Sequence, residues 1–264
     1  MAASRRLAAL EVEVGARLVN RTTRVLSLTP EGEAFLPHAQ AMLDVETEAR
    51  ASVRPSDTGA SGMLRITASV PFGLRVLAPF VPTFLRSNPE VQVDLLMADG
   101  IIDIVGQGID LAIRIAHLRD SGLIARKLAA NPRGLYASPA YLAHRGVPQC
   151  LADMAEHDCL TVSGSNHWTF LTASGKAIRQ KVHGRFSASS PEALREVCLG
   201  GAGIALLSGW SADDDVTEGR LSEVVLADAT PEPFDVWAVH PSARLVPVKT
   251  RLFISAFQEH LATR

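Results

Sequence analysis

The sequence predicts an α/β protein: a two-lobed module over residues 62–264, preceded by a short basic segment and one long helix. Three observations carry that reading. From Met63 onward, strand and helix patterns alternate at short spacing, which argues for sheets of parallel strands joined by crossover helices. At "RGLYAS" (133–138) a second unit of the same texture begins. Ahead of Met63 the texture differs: residues 1–28 hold five arginines against two glutamates, +3 in a chain whose net charge is −2.

Residues 2–14 read as a helix in which Leu7, Leu10 and Val14 form one apolar stripe, closed by Gly15 as a C-cap. Arg5 and Arg6 lie off the stripe. Two short β-like runs follow over 17–28, "RLVN" and "RVLSL", around a tip that carries Arg21 and Arg24. Thr29-Pro30 then starts a helix, with Thr as N-cap, Pro at the first helical position, and Glu31 and Glu33 at the positive end of its dipole. Pro37 lies inside the pattern and implies a bend or a later start. The helix runs to about Val53, roughly 35 Å, and ends in the turn-rich "RPSDTGASG".

Within the module, "MLRITASV" alternates as a strand, and "PFGLRVLAPFVPTFLRSNP" is a helix opened by Pro71 and closed by Asn88-Pro89. "VQVDLLM" is a strand, "GIIDIVGQG" a short helix and "IDLAIRIA" a buried strand. The second unit includes a helix at 191–199 and the strand "GIALLS"; "FDVWAVHP" and an amphipathic helix over 248–262 close the chain.

Composition excludes several classes. With 264 residues, 47% hydrophobic and 20% charged, the chain suits one or two well-cored domains rather than a disordered or fibrous protein. Its three cysteines, Cys150, Cys159 and Cys198, are odd in number and form no CxxC, which points to a reducing compartment. No signal-peptide core and no membrane-length apolar run occurs, so the expectation is a cytoplasmic protein without a membrane partner. GxSxG, P-loop and HExxH motifs are absent. Cys150, His157 and Cys159 match no common zinc spacing, and "GGAG" is not GxGxxG. Neither catalysis, a cofactor nor a metal is expected.

Ligands of open α/β sheets sit beyond the carboxyl ends of the strands. Those ends offer Ser69 with the amides around Val70, Pro71 and Phe72, a fit for an anion; then Ala98 and Asp99, and Ala116 and His117. The second lobe offers Ser163 and Ser165, with backbone at Ala202 and Gly203. Each would serve equally as an ordinary cap or turn.

"SRRLAALEVEVGARLVNRTTRVLSLTPEGEAFLPHAQAML" closely resembles the DNA-binding end of LysR-type transcriptional regulators. "LLMADGIIDIVGQGIDLAIRIAHLRDSGLIARKL" and "ASPAYLAHRGVPQCLADMAEHDCLTVSG" resemble the effector domain of the same family. The resemblance covers nearly the whole chain in the family's order of motifs. It implies a partial winged helix-turn-helix over 1–28, a linker and dimerisation helix with hinge over 29–61, and a periplasmic-binding-protein-like effector domain over 62–264. Lobe I would comprise about 62–134 and 238–264, and lobe II about 135–237. Ser4, Arg5 and Arg6 would then approach base edges, while Arg21, Thr22, Thr23 and Arg24 on the wing would hold phosphates. The bland reading of those residues is a solvated basic surface. Double-stranded DNA, a small-molecule effector and a second copy in a homodimer or homotetramer are the implied partners. Members usually carry further helices ahead of the recognition helix. The expectation is therefore a chain that starts inside the DNA-binding domain with impaired DNA binding; the alternative is a stand-alone small-molecule-binding module.

Overall fold

The computed structural model describes residues 2–21, 26–52, 60–100, 102–116, 123–241 and 246–263. Helix α1 (Ala2–Val14) ends at Gly15, where φ is +73° and the amide reaches back to the Glu11 carbonyl at 3.0 Å. Strands β1 (Val19–Arg21) and β2 (Leu26–Leu28) pair antiparallel, with Asn20 opposite Ser27. Helix α2 (Pro30–Ser52) begins where the sequence places it and continues through Pro37. Its cap is Thr29, whose Oγ1 accepts the Gly32 amide at 2.9 Å.

The first lobe is a five-stranded sheet, in the order β4-β3-β5-β15-β6: β3 (Gly62–Ala68), β4 (Val91–Met97), β5 (Leu111–Ala116), β6 (Ile124–Asn131) and β15 (Phe234–His240). β3, β4 and β5 are parallel, as expected, but β15 runs antiparallel to both of its neighbours, so the sheet is mixed. Between β3 and β4 the chain forms α3 (Val70–Phe72), a π-helical turn (Gly73–Leu77) and α4 (Ala78–Ser87). A side chain at Gly73 would stand 2.7 Å from the Met97 sulfur, so glycine lets this turn lie against the end of β4. Leu64, Ile66, Leu77 and Ile113 fill the core beneath, with an aromatic cluster between α4 and the closing helix α8 (Val248–Ala262). The Phe84 and Phe253 rings meet edge-on at 4.8 Å.

One expected element is corrected. "GIIDIVGQG" is not a helix; residues 104–108 are turns. Asp103 Oδ1 accepts the amides of Val105 and Gly106 at 3.1 and 3.0 Å, a local alternative to helical bonding that aspartate supplies readily.

The second lobe holds a five-stranded sheet, β11-β8-β12-β7-β13, and a three-stranded sheet, β10-β9-β14. Their strands are β7 (Arg133–Ala137), β8 (Cys159–Val162), β9 (His167–Thr172), β10 (Ala177–Lys181), β11 (Ser187–Ala188), β12 (Ile204–Ser208), β13 (Ser222–Val224) and β14 (Ala229–Pro231). Helices α5 (Pro139–Arg145), α6 (Pro191–Leu199) and α7 (Gly209–Thr217) cover them. The chain crosses between lobes at Pro132 and again at 232–233, a few residues earlier than the expected lobe bounds.

Within this lobe His157 is buried, with its Nδ1 3.1 Å from the Tyr141 hydroxyl, which also accepts the Asp158 amide at 3.0 Å. Burial, aided by the charge of Arg145, lowers the imidazole pKa below its ordinary 6.5. The unfolded chain therefore takes up this proton first, and the stability it protects is present above about pH 6.5 and is lost as pH falls toward the depressed folded value. His157→Asn is expected to flatten the loss of stability between neutral and mildly acidic pH. Urea unfolding at a series of pH values checks this, and equal slopes for both proteins would refute it.

Candidate ligand cleft and nucleic-acid interface

Ser4, Arg5 and Arg6 are exposed on the first turns of α1. Arg21 ends β1, while Thr22, Thr23 and Arg24 lie outside the described residues. Four hydrogen bonds and one close packing contact fasten this basic end together. Glu11 Oε1 accepts the amides of Leu18 (2.9 Å) and Val19 (3.1 Å), tying α1 to β1. The Thr29 hydroxyl donates to the Arg17 carbonyl at 2.6 Å, and the Thr29 amide to the Leu18 carbonyl at 3.0 Å. Gly32 packs so closely on the hairpin that a Cβ there would fall 1.9 Å from the Leu18 carbonyl oxygen. Gly32→Ala is thus expected to prise the hairpin from α2, at about 1–3 kcal/mol of overpacking. Faster tryptic cleavage at Arg17 is the readout, and an unchanged rate would contradict this close packing. The apolar stripe of α1 is only partly covered: Val14 is 41% exposed, and Val12 beside it 82%.

In the first lobe the structure brings Ser69, Val70, Ala98 and Asp99 together. Ser69 follows β3 in extended conformation, and its hydroxyl makes no capping bond. The Val70 amide is taken instead by Asp99 Oδ1 at 2.9 Å, and the Ala98 amide by the Ala68 carbonyl at 2.9 Å, so the ends of β3 and β4 are held side by side. Pro71 and Phe72 are buried. The Phe72 ring meets Trp210 of the second lobe edge-on at 5.3 Å and Phe257 at 6.2 Å. Ala116 ends β5, and its carbonyl accepts the Trp237 indole at 3.1 Å; His117 lies outside the described residues.

In the second lobe Ser163 follows β8 and donates its amide to Ala188, with Ser165 next in the same exposed turn. Ala202 and Gly203 are not brought to them. β12 runs parallel to β8 with Ile204 opposite Cys159, so Gly203 lies beside the start of β8 while Ser163 follows its end. The carboxyl end of β12 is Ser208, which accepts the Asn131 side-chain amide at 3.0 Å, while Asn131 Oδ1 accepts the Trp210 indole at 2.7 Å. These bonds fasten the lobes at the first crossing. Farther out, Arg75 of the π turn meets Glu192 of α6 at 2.7 Å. Glu192 also binds Arg195 (3.0 Å), which pairs with the fully buried Asp215 (2.6 Å), itself held from the other side by Arg220.

Asn131, Ser208 and Trp210 thus sit at the crossing between the lobes, and the Arg75–Glu192 bridge joins the lobes a second time. Sequence reasoning missed the crossing residues and the bridge. The strand-end rule would have found Ser208 and Trp210 had it been applied to the carboxyl end of "IALLS" rather than to the glycines before it. A separate cavity of about 410 Å³ lies where Leu28, Glu33, Leu36 and Pro37 face Arg65, Asp94 and Leu96 of the first lobe.

Comparison with known proteins finds two family matches on the chain. Residues 57–262 match the LysR substrate binding domain, and residues 1–33 match the bacterial regulatory helix-turn-helix protein, lysR family. The chain is 36% identical over 263 residues to the HTH-type transcriptional regulator CrgA of Neisseria meningitidis, covering 98% of this chain and 87% of that one. With DmlR of Escherichia coli it shares 34% identity, over 98% and 85%. The solved structure of CrgA, described as a LysR-type transcriptional regulator, superposes with a TM-score of 0.69 at 35% identity, covering 98% of this chain and 89% of that chain. Full-length AphB of Vibrio cholerae gives 0.65 at 30%, covering 96% and 87%.

Proposed function

This chain belongs to the LysR family of bacterial transcriptional regulators, a family of regulators rather than enzymes, and on that premise we propose that a small effector bound between Ser69, Ala98 and Asp99 on one wall and Ser163 on the other governs its engagement of promoter DNA. The observation that carries the reading is the Ser69 turn. Its hydroxyl makes no capping bond, Asp99 clamps the strand end beside it, and the lobe that carries it is joined to the other by the Arg75–Glu192 bridge. An effector that binds one spacing of the lobes better than another shifts that spacing, and with it the presentation of α1 and the hairpin. A polar effector is expected to bind Ser69→Ala about five- to tenfold more weakly, the worth of one hydrogen bond, with the melting temperature unchanged. Calorimetric titration against a panel of small metabolites measures the affinity, and a thermal scan the melting temperature. Identical affinity for wild type and variant would remove Ser69 from the site.

DNA contact is proposed through Ser4, Arg5, Arg6 and the hairpin arginines, in a dimer joined along α2. Exposed Leu36, Met42 and Leu43 on that helix (41–62% exposed) support such a seam. The exposed Val12 and Val14 favour a second reading, in which this 264-residue stretch binds effector but DNA only weakly. A gel shift comparing it with a form extended by a helix pair ahead of α1 decides between them. Stronger, more sequence-specific binding by the extended form supports weak DNA binding by this stretch, and equal binding sinks it.

A further inference from the structure

Lobe II carries a cationic face that neither the cleft nor the N-terminal segment uses. β10 is the edge of the three-stranded sheet, and Ala177, Arg179 and Lys181 share its exposed side. Directly opposite on β9 stand Leu171, Thr169 and His167. Ile178 points the other way, against the core of the lobe. Lys176 stands exposed before the strand; after it the chain passes alongside β8 of the neighbouring sheet, carrying exposed His183 and Arg185. Among the described residues, Lys176, Arg179 and Lys181 have no ion-pair partner, while Arg185 stays 87% exposed beside Asp158 at 3.4 Å. Over residues 159–191 the sequence holds four Lys and Arg and no Asp or Glu, a local +4 in a chain of net −2. Glu232, whose amide donates to the Thr169 carbonyl, acts on Arg133.

Charges on an edge strand also deter unwanted strand pairing. That duty needs them only along the outermost strand. Here the row also stands against hydrogen-bonding groups on β9, Thr169 and His167, and Lys176 extends it ahead of β10. Side chains at i and i+2 of a strand stand about 6.8 Å apart, far enough for Arg179 and Lys181 to meet different phosphates of a duplex that carries one charge per about 3.4 Å of axis on each strand. Arg and Lys in a row, with a hydroxyl and an imidazole alongside, are the side-chain types that hold a phosphodiester backbone.

We propose that this face of lobe II binds the phosphate backbone of double-stranded DNA beside the segment held by α1 and the hairpin. The proposal rests on the reading of the chain as DNA-binding. Once the N-terminal end is on the duplex, the tethered face meets DNA at high effective concentration, so few contacts suffice.

The test is an anisotropy titration of the full 264-residue chain with a labelled duplex across a range of salt. Arg179→Ala/Lys181→Ala is expected to weaken binding several-fold at low salt and to lower the slope of log affinity against log salt by about 1.8, or roughly 0.9 for each phosphate no longer neutralised. Arg126→Ala/Lys127→Ala, which removes the same charge from β6 of the other lobe, is expected to change the slope little. Equal slopes for wild type and the first variant overturn the proposal, and so does an equal drop in the control. If the variant loses binding to poly-glutamate but keeps its duplex binding unchanged, the face serves an acidic protein and the proposal falls. Binding with an unchanged slope sinks this proposal alone; no duplex binding by the unaltered chain at low salt sinks the DNA reading with it.

Discussion

Asp215→Ala is expected to destabilise lobe II by about 3–5 kcal/mol, because it leaves a buried guanidinium without its counter-ion. Asp215 is fully buried, and Arg195 is 6% exposed. Arg195 Nε and Nη2 both lie 2.6 Å from Asp215 Oδ2, while Arg220 Nε binds Oδ1 at 2.8 Å. Burial opposes the charge on Arg195, but the hydrogen bond and charge of Asp215 override it and raise the pKa, so the guanidinium remains charged. Glu192 and Glu196 also touch Arg195, but from more exposed positions, and cannot replace Asp215. Urea unfolding checks the loss. In the double variant Asp215→Ala/Arg195→Met much of the stability should return, since the stranded charge is gone. A loss under about 1 kcal/mol for the single variant, the range of a solvated ion pair, would mean that water reaches Arg195.

The second large effect is expected from Phe72→Ala. Truncating a buried phenylalanine removes about 3–5 kcal/mol, and Phe72 is 1% exposed. Its ring also packs against Trp210 across the lobes. The variant should therefore show two separable signatures: a lower unfolding midpoint, and red-shifted tryptophan emission in the still-folded protein as Trp210 loses its cover. A conservative Phe72→Leu should keep most of the stability while still removing the edge-on ring pair. An unshifted emission spectrum in both variants would show that Trp210 does not depend on this ring.

Much of the fold was legible because local chemistry and tertiary structure agree. Gly15, Thr29-Pro30 and Asn88-Pro89 fix chain directions within a residue or two, and the sequence places the ends of α1, α2 and α4 accordingly. "GIIDIVGQG" failed because apolar spacing suggested a helix while Asp103 bonded its own turn. The β9–β10 hairpin was missed because Lys and Arg at every second position hide a strand when its other face packs against only part of a core. Among the candidate site residues, the strand-end rule pointed to Ser69 and Asp99, which the fold brings side by side. It could not reveal Arg75 with Glu192, or Asn131 with Trp210, because those pairs lie 117 and 79 residues apart and nothing in sequence ties one to the other.

The order of strands in lobe I has a consequence for synthesis. β15 lies between β5 and β6, yet Val236 comes 121 residues after its partner Ile115. Until β15 leaves the ribosome, β6 has no partner strand among the described residues, and β5 keeps an open edge. At ordinary elongation rates the roughly 100 residues between β6 and β15 take about 5–20 s to make, long enough for lobe II to fold on its own stretch of chain. Folding it shortens the loop that β15 must close and lowers the entropy of that closure. The last-made strand of the sheet is thus an interior one, and the nascent first lobe carries two unfinished edges while the second is being built.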